Sequence, residues 1–322
     1  MDVEIKRDGI TLRGKIEKPY NTDNKKISDK YPALIIFHGF AGNLGYDENS
    51  IYSKIANRAA KSGMYVIRFD FDGHGKSDGN FSDMDVLREL LDAIEILKYV
   101  QKFLFITDIY VLGHSQGGVV GGMLAGLYPD IIKKLVLLAP AATLKEDAIK
   151  GICMGTKYDT ENIPETVLVD GQHEVGGHYF RIAKSLAIYE TTKRFIGPTL
   201  IIHGINDMCV DYHASEKYDD QMKNSILKLY PLLDHGIEGE VTGMLALQGY
   251  YDGNMVRTLE KIHAKKNQKL IITVLDEFMD ESDSKDEKKS ARGILAQYAD
   301  LGLREKEQYA WEKAVTEKHG SA

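Results

Sequence analysis

The chain is poor in cysteine. Its 322 residues include two, Cys153 and Cys209. That is no disulfide framework for a chain of this length and reads as two free thiols in a reducing compartment. Basic residues are not in excess: Lys plus Arg number 41 against 48 Asp plus Glu, a formal net charge of -7. This balance argues against a nucleic-acid or anionic-membrane partner, since both favour a basic face. No apolar stretch approaches the roughly 20 residues that span a bilayer. The N-terminus has no basic segment followed by an apolar run, so no signal peptide is read, and the expected location is the cytoplasm. Internal repeats are also missing. What is present is ordinary for a soluble globular protein, with 43% hydrophobic and 28% charged residues, enough to bury a sizeable core.

Val3 to Ile16 alternates apolar and polar residues around Asp8-Gly9, the pattern of a β-hairpin with one solvated face. Past a polar loop, short apolar runs alternate with amphipathic segments. Strands are expected at 33–37, 65–69, 109–112, 135–138, 199–202 and 225–230, and helices at 52–61, 85–100, 116–127 and 212–222. Continuous apolar strands alternating with helices imply an α/β fold, a mostly parallel sheet with helices on both faces. In such sheets, sites form at the carboxyl ends of the strands. Two stretches break the pattern. Residues 141–195 separate two strands by more than one helix, and so long a connection reads as a lid insertion. After His235 no further unit of the same kind follows, and residues 276–289 read as a charged linker. The expected organisation is a core of residues 1–140 and 196–235, a lid of residues 141–195, and a small appended α+β segment over residues 236–322.

Gly113-His114-Ser115-Gln116-Gly117 falls between an expected strand and an expected helix. That is the context of a nucleophile elbow, a sharp turn that lifts a serine hydroxyl above the sheet at a helix N-terminus. A serine nucleophile needs a base, and the base needs an orienting carboxylate. In an elbow fold the order along the chain is serine, acid, histidine. Asp207 follows the strand at 199–202, and His235 follows the strand at 225–230. His213 falls in a helix, while His263 and His319 fall in the appended segment. The catalytic set read from the sequence is therefore Ser115, Asp207 and His235. The oxyanion needs two main-chain N–H donors. One is assigned to Gln116 and the other to Phe40, in the loop His38-Gly39-Phe40. The glycine-rich loop 72–79 lacks a P-loop lysine pattern and reads as a tight loop shaping the site, with His74 structural. No metal or cofactor is called for.

The runs Ile35-Ile36-Phe37-His38-Gly39-Phe40, Arg68-Phe69-Asp70-Phe71-Asp72-Gly73-His74-Gly75 and Val111-Leu112-Gly113-His114-Ser115-Gln116-Gly117-Gly118 resemble bacterial cinnamoyl (feruloyl) esterases of the α/β-hydrolase fold. So do 137–144 and 179–183. The resemblance runs from the N-terminus to about His235. It implies an intracellular, cofactor-free serine esterase that releases hydroxycinnamic acids from small-molecule esters, with a lid after the sixth strand. It also implies the same triad and the same oxyanion donors, and it implies that Asp147 and Tyr179 hold the phenolic hydroxyl. The family's lid glutamine falls at Met154, which cannot supply an amide's donor and acceptor.

The family normally continues past the catalytic histidine into a last helix packed on the sheet. Here the sequence changes character at Gly236. From Met244 onward it reads as a β-rich unit with an Asp252-Gly253 turn, then a charged linker, then a helical segment carrying Trp311. This part resembles the antitoxin component of a type II toxin–antitoxin module. Three functional readings follow: a hydroxycinnamate esterase, a general acyl esterase or monoacylglycerol-type lipase, and a fusion whose C-terminal segment binds a toxin partner beside a vestigial hydrolase. A homodimer is the other assembly left open.

Overall fold

A computed structural model of the chain describes residues 1–20 and 30–237, together with the backbone of residues 249–251 and 256–258. Two compact units divide it, Met1–Met244 and Leu245–Ala322.

The first unit opens with β1 (Asp2–Arg7) and β2 (Ile10–Glu17), paired antiparallel. Asp8 and Gly9 join them with φ values of 49° and 87°, the two left-handed residues that a tight hairpin turn requires. Then follow β3 (Tyr31–Phe37), α1 (Ile51–Lys61), β4 (Tyr65–Phe69), α2 (Val86–Gln101), β5 (Ile106–His114), α3 (Gln116–Leu127) and β6 (Ile132–Leu138). The inserted segment carries α4 (Leu144–Lys150), the short strands β7 (Ile152–Cys153), β8 (Thr156–Lys157), β9 (Thr166–Val169) and β10 (His173–Gly176), and the helices α5 (Gly177–Ala183) and α6 (Ile188–Thr192). β11 (Thr199–Gly204), α7 (His213–Gln221) and β12 (Ser225–Tyr230) complete the sheet.

Eight strands form one sheet in the order β1-β2-β4-β3-β5-β6-β11-β12. β1, β2 and β4 pair antiparallel, and from β4 to β12 every pairing is parallel. The expected α/β-hydrolase architecture is what the chain adopts. The main core lies on one face, where α2 and α3 pack against residues such as Ile35, Phe37, Val111 and Leu137. α1 lies on the other face, with Ala56 and Ala60 on Leu34, Ile36 and Leu112. Asp85 caps α2 by accepting from the N–H groups of Leu87 and Arg88.

The segment 141–195, read as one lid, divides in the structure. α4, β7 and α5 contribute residues to a pocket above Ser115. α6 instead packs on α3, where Thr191 and Thr192 close on Gly126 and Gly122. Its buried residues Ile188 and Tyr189 belong to the main core.

In the second unit, β13 (Gly249–Tyr251) and β14 (Val256–Thr258) pair antiparallel on either side of the expected Asp252-Gly253 turn. The antitoxin-like reading, with its linker and its Trp311 helix, lies outside the described residues, as does the turn itself.

Candidate active site

The elbow follows from local sterics. β5 ends at His114, and α3 begins at Gln116. Ser115 between them has φ 56° and ψ -123°, a conformation costing on the order of 1–3 kcal/mol for a non-glycine residue. It is held there by its N–H, which donates to Leu138 O at 2.9 Å. Gly117 is needed because a Cβ at that position would run into the carbonyl oxygens of His38 and Phe37. Gly39 is needed because its Cβ would lie 2.8 Å from the Cβ of Ser115. The loop after β3 therefore crosses directly over the serine.

Ser115, His235 and Asp207 form one hydrogen-bonded chain. Ser115 Oγ lies 2.8 Å from His235 Nε2, and His235 Nδ1 lies 2.7 Å from Asp207 Oδ2. Because a carboxylate only accepts, Nδ1 carries the ring proton and Nε2 is left to accept from the hydroxyl. Asp207 Oδ1 accepts from the N–H groups of Cys209 at 2.8 Å and Val210 at 2.9 Å. Oδ2 also faces His203 Nε2 at 3.0 Å. Burial by itself would raise the Asp207 carboxyl, but hydrogen bonds from His203, His235 and Val210 hold it well below the usual carboxylate range. Asp207 thus stays ionised and fixes the tautomer of His235.

Two loops converge on this chain. No other described group takes the main-chain N–H of Phe40 or of Gln116, and both residues border the cavity at Ser115. Gly39 N–H donates to Tyr52 Oη at 3.2 Å, Tyr52 Oη lies 2.8 Å from His114 Nδ1, and His114 Nε2 lies 2.7 Å from the carbonyl of His235. A carbonyl accepts, so His114 carries its proton on Nε2, and the Tyr52 hydroxyl donates to Nδ1. Burial pushes His114 down to about 4, which keeps this ring neutral.

The pocket above Ser115 has a volume of about 140 Å³ and a mostly apolar wall that includes Phe40, Leu144, Ile152, Met154 and Phe180. Asp147 and Tyr179 border it, and Met154 lies among them. Tyr179 is buried, and its hydroxyl donates to Gln116 Oε1 at 2.7 Å. His213 stands exposed at the start of α7, beside Asp211 and away from the pocket wall. His74 is buried in the loop after β4 and packs edge-on against Phe81. Asp207, Cys209 and His235 also bring three ligand-type atoms within 4.8 Å of one another. Their carboxylate and ring atoms are already engaged by the hydrogen bonds above.

Tyr52, His114 and His203 were not reached by sequence reasoning. His114 is adjacent to Ser115 and His203 stands four residues before Asp207, the one signal that could have drawn attention to them. Tyr52 lies in the first turn of α1 with no local signature.

The fold and this constellation define a class. Residues 32–152 match the family described as alpha/beta hydrolase fold. Est1E from Butyrivibrio proteoclasticus, solved with ferulic acid bound, is 35% identical with a TM-score of 0.68, over 73% of this chain and 91% of that one. The chain belongs to the α/β-hydrolase family. Among curated proteins, mouse mitochondrial palmitoyl-protein thioesterase ABHD10 is 26% identical over 63% of this chain and 67% of its own length. Lysophosphatidylserine lipase ABHD12 of Danio rerio is 24% identical over 61% and 48%. The chain spans about a third of the length of the first curated relatives, three mycobacterial proteins matched at 28% identity over 127 residues. Among the described residues, no helix is long and apolar enough to cross a membrane.

Proposed function

We propose that the chain is a serine carboxylic-ester hydrolase that cleaves hydroxycinnamate esters through an acyl-enzyme. The observation that carries the reading is the unbroken chain Ser115–His235–Asp207 at the floor of an apolar pocket. Ser115 Oγ attacks the ester carbonyl carbon while His235 Nε2 takes its proton. The developing oxyanion is received by the N–H groups of Phe40 and Gln116. Collapse expels the alcohol, which takes the proton from His235. Water then attacks the acyl-serine with His235 again as base, and the carboxylic acid leaves with Ser115 restored. Asp207 keeps the imidazole oriented and stabilises its charged form. Est1E, crystallised with ferulic acid, supports an aromatic acyl group. In the pocket wall, Asp147 would accept the phenolic proton, and Tyr179, whose own proton is engaged, would offer a lone pair.

A second reading, a general acyl esterase or lipase, is favoured by Met154, which places an apolar side chain in the wall. A substrate panel separates the two. Methyl ferulate and methyl p-coumarate are compared with methyl acetate and methyl butyrate, in wild type and Ser115→Ala. The first reading expects kcat/KM for the hydroxycinnamates to exceed that for aliphatic esters of similar leaving ability, with all turnover lost in the variant. Aliphatic preference would select the second reading. Turnover surviving in Ser115→Ala would reject both.

A further inference from the structure

Beneath the elbow, four buried side chains form a line that the triad does not use. Tyr179 donates to Gln116 Oε1 at 2.7 Å, and Gln116 Nε2 donates to Glu89 Oε2 at 2.9 Å. Glu89 Oε1 faces His74 Nε2 across 3.9 Å, with both side chains about 1% exposed. Those two atoms are buried without a hydrogen-bond partner. An arrangement of this kind is costly unless the protons are placed to suit it.

The proton positions follow from the partners. His74 Nδ1 lies 3.0 Å from the carbonyl of Asp72, so it carries the ring proton, and Nε2 presents a bare lone pair. Glu89 Oε2 receives the Gln116 amide. An ionised Glu89 would set a second lone pair against His74 inside the core. A protonated Glu89 instead points its Oε1–H toward His74 Nε2, with room for adjustment or one bridging water. The surroundings favour the neutral acid. Burial pushes the carboxyl well above its ordinary range, against the lowering effect of the Gln116 hydrogen bond, and Asp92, Asp85 and Asp72 push upward as well. The nearby cations are engaged elsewhere: Arg7 binds Asp72 and Asp92, and Arg88 binds Asp72.

We propose that Glu89 is a positioning residue: its neutral carboxylic acid clamps the Gln116 side-chain amide and so fixes the main-chain N–H that Gln116 contributes to the oxyanion. The proposal rests on the esterase reading of Ser115. Gln116 is the first residue of α3, where the N–H has no helical acceptor and its direction depends on how firmly the residue is held. With the side-chain amide gripped by Tyr179 at one end and Glu89 at the other, the donor is preorganised before substrate enters. The clamp also ties a residue of the pocket wall to the oxyanion donor.

The test is steady-state hydrolysis of p-nitrophenyl acetate by Glu89→Gln and Glu89→Leu, with circular dichroism to verify folding. Glu89→Gln keeps an acceptor for Gln116 and a donor for His74, and it should hold kcat within about threefold of wild type. Glu89→Leu removes both and should lower kcat about ten- to hundredfold with KM little changed, the signature of a transition-state contact. A folded Glu89→Leu with wild-type kcat would overturn the proposal, as would a Glu89→Gln as damaged as Glu89→Leu. Should Glu89→Leu fail to fold, infrared spectra decide. Wild type at neutral pH should show a protonated-carboxyl carbonyl band that Glu89→Gln lacks, and its absence from wild type would refute the neutral clamp. Wild-type protein inert toward every ester would instead reject the esterase reading, while the infrared result would still judge the state of Glu89.

Discussion

At the scale of single residues, the base is held from two sides. Asp207 orients the ring of His235, and the carbonyl of the same residue receives a proton from His114. Tyr52 passes this restraint to Gly39, one residue before the proposed oxyanion donor Phe40. The relay therefore couples the two loops that must keep their spacing during turnover. His114→Leu removes the hydrogen bonds to Tyr52 and to the His235 carbonyl and should lower kcat about three- to tenfold, with little change in KM, and stopped-assay kinetics on any accepted ester would show it. An unchanged kcat would mean that His235 is held by Asp207 and Ser115 alone. The residues of the hydrogen-bonded chain Ser115–His235–Asp207 could be singled out in the sequence because they follow strand ends in a fixed order. Glu89 and Tyr52 could not, because each acts through a side chain brought in by a helix that carries no motif. His114 occupies a variable position of the elbow pattern, so the pattern is silent about it.

At the scale of elements, α3 is the informative one. It contains five glycines and almost no polar residues, a composition poor in helix propensity. Packing explains it, since every residue from Gln116 to Gly126 is buried. The helix runs against β5 on one side and α6 on the other. A Cβ on Gly126 would strike the carbonyl of Thr191. Gly126→Ala should therefore push α6 outward and destabilise the fold by about 1–3 kcal/mol, despite alanine's better helix propensity. Urea unfolding measures this, and a stabilised variant would show that propensity outweighs the contact. The span of α3 was legible from the sequence to the residue, since a glycine-rich apolar run after a strand leaves few alternatives. The place of α6 was not, because five residues give no periodicity to read and only the three-dimensional packing assigns them to the core.

At the scale of the whole molecule, the sheet face that carries α1 bears on the break in sequence at Gly236. Among the described residues, Tyr110, Val136 and Ile202 on that face are only partly buried, and Ile226 of β12 is exposed. The family resemblance expects a last helix beyond His235 at this point. Two buried histidines contribute to the molecule's response to acid, and the buried carboxyl of Glu89 contributes in the opposite direction. Burial lowers His38 from 6.5 to about 3 and His114 from 6.5 to about 4. An unfolded chain protonates both below about 6.5, while the folded chain does not until much lower pH. Their contribution is therefore fully present above 6.5 and is lost as pH falls toward 4, by up to about 1.4 kcal/mol per histidine per pH unit. The imidazole NMR signals of His38 and His114 should stay at their neutral positions at pH 5, and protonation of either ring near pH 6.5 would contradict neutral burial of these rings.

The central claim is that Ser115 is an activated nucleophile in the full-length chain. Reaction with a fluorophosphonate forms a serine–phosphorus bond with loss of fluoride and needs no knowledge of the substrate. Intact-mass and peptide analysis should find one adduct per chain, on Ser115, absent from Ser115→Ala and greatly slowed in His235→Ala. A folded chain that takes no label, or that takes it on another residue, would contradict the account.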